Sequence, residues 1–174
     1  MKRICFLLIM TLCVINNALG ADLTTAQIAQ LAKAKTISAI SNLAVSNGYK
    51  LAYKKNGANG YESYNVTDIA WSYNARYIPS MNGWDYSGNF SAIKLLFNNN
   101  INQPESIVYV LSAGAYFHRI KDQITSYGYS FYKEDTSTFN NAVAYCYYNA
   151  NLKIYAIFAE YYGNGGFQIH FYHE

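Results

Sequence analysis

Asn47-Gly48-Tyr49-Lys50-Leu51 and Tyr127-Gly128-Tyr129-Ser130-Phe131 decide the reading of this chain, because each stops a helical pattern at a glycine and then begins an extended one. Ahead of the first, Ile28, Leu31, Ala32, Ala34, Ile37, Ile40, Leu43 and Ala44 recur at three-to-four spacing, which predicts an amphipathic helix over 25–47. Ahead of the second, Phe117, Ile120 and Ile124 share one face over 115–127. Glycine is favoured just past a helix because it takes the left-handed backbone at little cost.

The match continues in order. Asp68-Ile69-Ala70-Trp71-Ser72-Tyr73-Asn74 corresponds to Ala142-Val143-Ala144-Tyr145-Cys146-Tyr147-Tyr148-Asn149, Ile93–Phe97 to Ile154–Phe158, and Val108–Val110 to Ile169–Phe171. The offsets run 80, 75, 61 and 61, shrinking only between elements as loop deletions would leave them. This order predicts an α+β fold: a tandem duplication of a helix plus an antiparallel three-stranded unit, with the helices on one face of the sheet. The repeats span about 25–112 and 113–174 of one domain over 21–174, and the first is enlarged by an insertion from about Ala75 to Ser91.

Alternation along strands assigns the faces. Leu152, Ile154, Ala156, Phe158, Phe167, Ile169 and Phe171, with Ile69, Trp71, Tyr73, Ile93, Leu95, Phe97, Val108 and Val110, are expected in the core. The opposite face then receives Tyr145, Tyr147, Tyr155, Ile157, Tyr161, Gln168, His170 and Tyr172, together with Lys94, Leu96, Ile107, Tyr109 and Leu111. One helix per unit covers one face only, so this second face is left for water or a partner.

Composition bounds the function. Of 174 residues, 19 are tyrosine and only 13% are charged, so the chain is neither disordered nor a basic nucleic-acid binder. Lys2 and Arg3 precede the apolar run Ile4 to Ile15, and Ala18 and Gly20 are small residues at −3 and −1. Residues 1–20 therefore read as a signal peptide cleaved before Ala21, and the protein as secreted or periplasmic with no membrane span after cleavage. Removing the leader leaves 11 basic against 10 acidic residues, a net charge of +1, and a single cysteine, Cys146, expected to be a buried inert thiol.

Catalytic and metal-binding patterns are weak. His170 and His173 lie on opposite sides of a strand. His118 and Asp122 make a solvated helix pair, and Glu134-Asp135 reads as a solvated turn. Glu105, Glu134, Asp135 and Glu160 are not brought together by spacing, no Gly-x-Ser-x-Gly elbow occurs, and Gly163-Asn164-Gly165-Gly166 reads as a hairpin turn. Asn65-Val66-Thr67 and Asn89-Phe90-Ser91 match the glycosylation sequon. No catalytic residue, metal or cofactor is assigned.

No family is recognised from motifs, but the layout of a doubled helix-plus-sheet unit with a tyrosine-rich face resembles that of secreted β-lactamase-inhibitor proteins. That resemblance implies a protein antagonist; those inhibitors carry disulfides that Cys146 alone cannot form, so their contact residues are not carried over.

The sequence thus points to a non-enzymatic exported binding protein, an inhibitor or immunity-type antagonist. Trp84, Tyr86, Tyr109, Tyr145, Tyr147, Tyr155, His170 and Tyr172 would grip a protein partner, with the aromatic stretch Arg76 to Asn89 contributing. Glycan binding on the same rings is the alternative, and a small secreted hydrolase using His118 or His170 with a distant carboxylate is a third reading. On this reading, replacing Tyr147 and Tyr155 together by Ala abolishes capture and leaves the fold intact, whereas unfolding would place those rings in the core.

Overall fold

The fold is taken from a computed structural model that describes residues 22–57, 65–81, 83–135, 139, 141–162 and 166–174. The expected leader and most of the Gly163–Gly166 turn fall outside these residues.

The expected first helix is two helices. Helix α1 covers Thr25–Lys33 and begins with a capping box, in which Thr24 Oγ1 accepts from Gln27 N and Gln27 Oε1 accepts from Thr24 N. Ala34 then turns extended, and Thr36 caps α2, Ile37–Ser46, by accepting from Ala39 N at 3.2 Å. A hydroxyl that competes for backbone donors restarts the helix here, and the break keeps Ile28, Leu31, Ile40 and Ala44 all buried.

At the end of α2 the Gly48 N–H donates to Val45 O and the Tyr49 N–H to Ala44 O, with Gly48 at φ +81°. Both are the paired bonds of a Schellman closure. The corresponding Gly128, at φ +85°, follows α3 (Gly114–Gln123) and a short 3₁₀ turn, Ile124–Tyr127.

Eight described strands form one antiparallel sheet: β1 (Lys50–Asn56), β2 (Val66–Ile78), β3 (Gly83–Asn98), β4 (Gln103–Leu111), β5 (Ser130–Asp135), β6 (Ala142–Asn149), β7 (Ile154–Tyr161) and β8 (Phe167–His173). Their order is β1-β2-β3-β4-β8-β7-β6-β5, so β4 and β8 meet at the centre and the two ends of the sheet mirror each other. Each three-stranded unit of the sequence reading therefore gains one strand, at its outer edge. Those strands, β1 and β5, are charged edges that lack a clear apolar alternation. Glu134-Asp135, expected in a turn, ends β5.

One face of the sheet carries the core. Cross-strand partners Ile93, Tyr109 and Ile169 form one row across it, and Leu95, Ile107 and Phe171 the next. All six are fully buried. Phe117 of α3 packs on Phe158 and Phe167 at ring distances of 5.7 and 4.9 Å, which places that helix on the same side.

The expected faces of β4 are reversed: Ile107, Tyr109 and Leu111 point inward, and Val108 and Val110 are only half-buried. Both alternating sets of this strand are apolar, so periodicity cannot choose between them. A buried role for the Tyr109 hydroxyl settles the matter. It accepts from Leu23 N at 3.0 Å and from Tyr49 Oη at 3.2 Å, and donates to Asp22 Oδ1 at 3.3 Å. Tyr49 Oη also bonds Ser91 Oγ at 2.7 Å, and the Tyr116 hydroxyl donates to Leu23 O at 2.9 Å. Burial raises the Asp22 carboxyl above its ordinary range, and the bonds from Tyr109 and Ser91 oppose that rise.

Tyr109→Phe keeps the ring and leaves the Leu23 N–H without its acceptor. It is expected to cost about 1–3 kcal/mol, read as a lower denaturant midpoint at unchanged slope.

Candidate functional site

The stretch expected as a loop insertion is a hairpin arm. Beyond Tyr73, β2 and β3 stay paired from Ala75↔Tyr86 to Ile78↔Gly83, after a register shift at Asn74, which sits at φ +53°. The Ser72 hydroxyl donates to Ala75 O at 2.7 Å across this bend. Tyr77 lies seven residues along β2 from Ala70, the partner of Tyr53, a span of about 23 Å if extended. Yet the Tyr53 ring is 4.5 Å from that of Tyr77 and 6.5 Å from that of Trp84. The arm therefore folds back over the sheet.

It folds onto the face away from the helices. The Tyr53 hydroxyl donates to Asp68 Oδ1, Lys55 pairs with the same carboxylate at 3.3 Å, and Asp68 alternates with the core residue Ile69. Ala70 and Ser72 are buried beneath the arm's end of the sheet. Burial, with the Asp68 charge adding to it, pushes the Tyr53 phenol well above its ordinary range, so the ring is neutral.

The eight expected partner-binding residues separate into three places. Trp84 and Tyr86 are on the arm, where Trp84 is held against Tyr77 and Tyr86 stacks on Phe90 at 4.2 Å with half its surface exposed. Tyr155, His170 and Tyr172 lie on the helix-free face, as expected.

Tyr109, Tyr145 and Tyr147 do not. Tyr109 is in the core, Tyr145 sits under Lys121 of α3 with Nζ 3.9 Å from its ring centre, and Tyr147 packs edge-on against Phe158 at 5.5 Å. Strand β6 is inverted relative to the sequence reading: its small residues Ala142, Ala144 and Cys146 face away from the helices. Tyr145 and Tyr147 take the helix side instead. Leu152, expected in the core, is in the β6–β7 turn and more than a third exposed.

On the helix-free face Tyr172, Tyr155 and Tyr148 are successive cross-strand partners, with the Tyr148 and Tyr155 rings 4.5 Å apart. Tyr132 extends the row at 6.1 Å from Tyr155. Sequence alternation missed Tyr132 and Tyr148 because their strands were either unassigned or assigned to the wrong face. Tyr148 donates to Glu174 Oε2 at 2.7 Å, which pushes its phenol up to about 12.

Farther along the same face the row Lys94, Val108, His170, Ile157 and Cys146 crosses the sheet. The Phe139 ring covers His170 edge-on at 5.0 Å, and His170 Nε2 is buried without a hydrogen-bond partner. Burial, helped by the Lys94 charge, lowers the His170 imidazole to about 4.

His118 faces Glu160 at 3.8 Å rather than Asp122, and both side chains are open to solvent. His170 bonds only the Tyr172 hydroxyl, at 3.4 Å, among the described residues. Cys146 is a buried free thiol raised by that burial. Among the described residues no group of three or more His, Cys, Asp or Glu is placed to hold a metal, and no helix is long and apolar enough to cross a membrane. Comparison of the chain with protein-family models, with curated proteins and with solved structures finds no significant match in any of the three.

Two outcomes test this geometry. Because Tyr147 joins the helix-side packing, Tyr147→Ala is expected to cost about 2 kcal/mol in chemical denaturation, and Tyr155→Ala less than half of that. His170 has a folded-state pKa below the ordinary 6.5, so its contribution is complete above that pH and is lost as pH falls toward 4. Between pH 7 and 4.5 the protein should therefore lose about 2 kcal/mol more stability than His170→Gln.

Proposed function

We propose that this chain is an exported, non-enzymatic binding module that grips a protein partner with the helix-free face of its sheet. The observation that carries this reading is the row Tyr172, Tyr155 and Tyr148, held at fixed spacing by cross-strand pairing, extended by the Tyr132 ring against Tyr155 and capped by no described helix. Tyrosine gives large contact area with only two χ angles to fix, so a row pre-arranged on strands binds with little ordering cost. Trp84 and Tyr86 stand beside it as partner contacts, whereas Tyr109, Tyr145 and Tyr147, and His170 buried beneath Phe139, act as scaffold. Export follows from the leader pattern of residues 1–20, and the partner is of the kind an inhibitor or immunity protein meets outside the cytoplasm.

Duplication accounts for the shape of the site. The strand order mirrors about β4 and β8, Tyr49 and Tyr129 are both buried after a left-handed glycine, and β1 and β5 each carry a bulge at offset 80, Leu51/Tyr53 and Phe131/Lys133. Two ancestral units joined edge to edge would widen the sheet to eight strands, broad enough for a protein to dock on the part that the arm leaves free.

Affinity capture on the immobilised mature chain, from the producing organism and its competitors, tests this. A single stoichiometric protein is expected, lost when Tyr155 and Tyr172 are both replaced by Ala in a variant whose circular dichroism is unchanged. Capture undiminished in that variant would overturn the reading. Retention on immobilised polysaccharide without a protein partner would favour glycan binding, which the exposed Tyr86–Phe90 stack and the Tyr53–Tyr77–Trp84 cluster suit.

A further inference from the structure

The tyrosine row runs into a groove of about 730 Å³ at the end of the sheet, between the β3–β4 turn and the end of β8. Leu96, Ile101, Pro104 and Tyr172 give it apolar walls, and Glu105 and Glu174 are its acidic groups. Ile101 is 60% exposed, so this wall is open to a visitor.

The charge is unbalanced. No lysine or arginine lines the groove, and neither Glu105 nor Glu174 belongs to an ion pair among the described residues. Each carboxylate is oriented by a neutral donor: Asn98 Nδ2 bonds Glu105 Oε1 at 2.7 Å, and the Tyr148 hydroxyl bonds Glu174 Oε2 at 2.7 Å. One oxygen of each remains for a further donor. His173, which also lines the groove, is kept below its ordinary range by burial and so adds no cation of its own near neutral pH.

We propose that this groove receives an arginine side chain presented by the protein partner, with apolar neighbours of that arginine resting on Leu96, Ile101 and Pro104. A guanidinium suits the site better than an ammonium. It is planar and weakly hydrated, stacks on phenol faces such as Tyr172, and offers five donors to carboxylates already held in place. An acidic segment would meet two uncompensated carboxylates, and a wholly apolar one would strip water from them without replacing its hydrogen bonds. This inference rests on the protein-binding reading of the face and supplies the chemistry of its partner.

The test is a titration of the ¹⁵N-labelled mature protein with N-acetyl-Phe-Arg-Phe-amide, against the same peptide carrying citrulline, which keeps the shape and loses the charge. Saturable amide shifts confined to Leu96, Ile101, Gln103, Glu105, Ser106 and residues 172–174 are expected with arginine, and at least tenfold weaker binding with citrulline. Glu105→Gln with Glu174→Gln should weaken the arginine peptide at least tenfold, as should 0.5 M salt, while thermal unfolding shows that the variant is folded. Equal binding of the two peptides, shifts elsewhere on the chain, or an unaffected double variant would overturn the proposal. Partner capture separates the two levels. If it survives in the double glutamine variant and is lost in Tyr155→Ala with Tyr172→Ala, only the arginine assignment fails; if both variants capture as before, the protein-binding reading fails with it.

Discussion

The hydroxyl of Tyr109 is the point on which the helical layer is registered to the sheet. It lies on a central strand, buried, and joins the chain entering α1 at Asp22 and Leu23 to Tyr49 at the end of α2, and through Tyr49 to Ser91 of β3. Apolar packing alone would let helices slide over a surface of Ile and Phe, because such contacts have no direction. Buried polar groups left unpaired are costly, so this network admits one placement. That placement commits the helices to one side, and no described helix covers the other.

The uncovered side is partly closed by the chain's own additions. The β2–β3 arm bends at Asn74 and returns to stack on Tyr53, and Phe139 lies on His170. Small residues on the outer side of β6, Ala142, Ala144 and Cys146, stay buried although no described helix lies over that face. The proposed partner surface is accordingly placed at the end where four tyrosines and two carboxylates meet rather than across the whole sheet.

Much of the architecture was legible in residue order. The two glycine stops, the six apolar strands, the α+β class and the placement of helices on one face follow from periods of 3.6 and 2 that the chain displays openly. The edge strands were not legible, since Lys50–Asn56 and Ser130–Asp135 bury too little to alternate. Nor was the division of α1 from α2, because a short break that preserves the apolar stripe leaves the spacing almost unchanged. Of the residues singled out for a partner, Tyr155, His170 and Tyr172 lie on the side of the sheet away from the helices, whereas Tyr109, Tyr145 and Tyr147 lie on the helix side.

The sequence by itself determined the helical stretches up to their glycine stops and the six apolar strands, through their 3.6 and 2 periods. Tertiary structure alone decided which of two equally apolar faces of β4 and β6 turned inward. Tyrosine is amphipathic, so its period carries no sign: Tyr109 turns inward where a backbone N–H and another hydroxyl meet its phenol, and Tyr145 and Tyr147 where Lys121 and Phe158 meet their rings. That choice depends on groups far apart in the chain, Leu23 against Tyr109 and Lys121 against Tyr145, which only folding brings together.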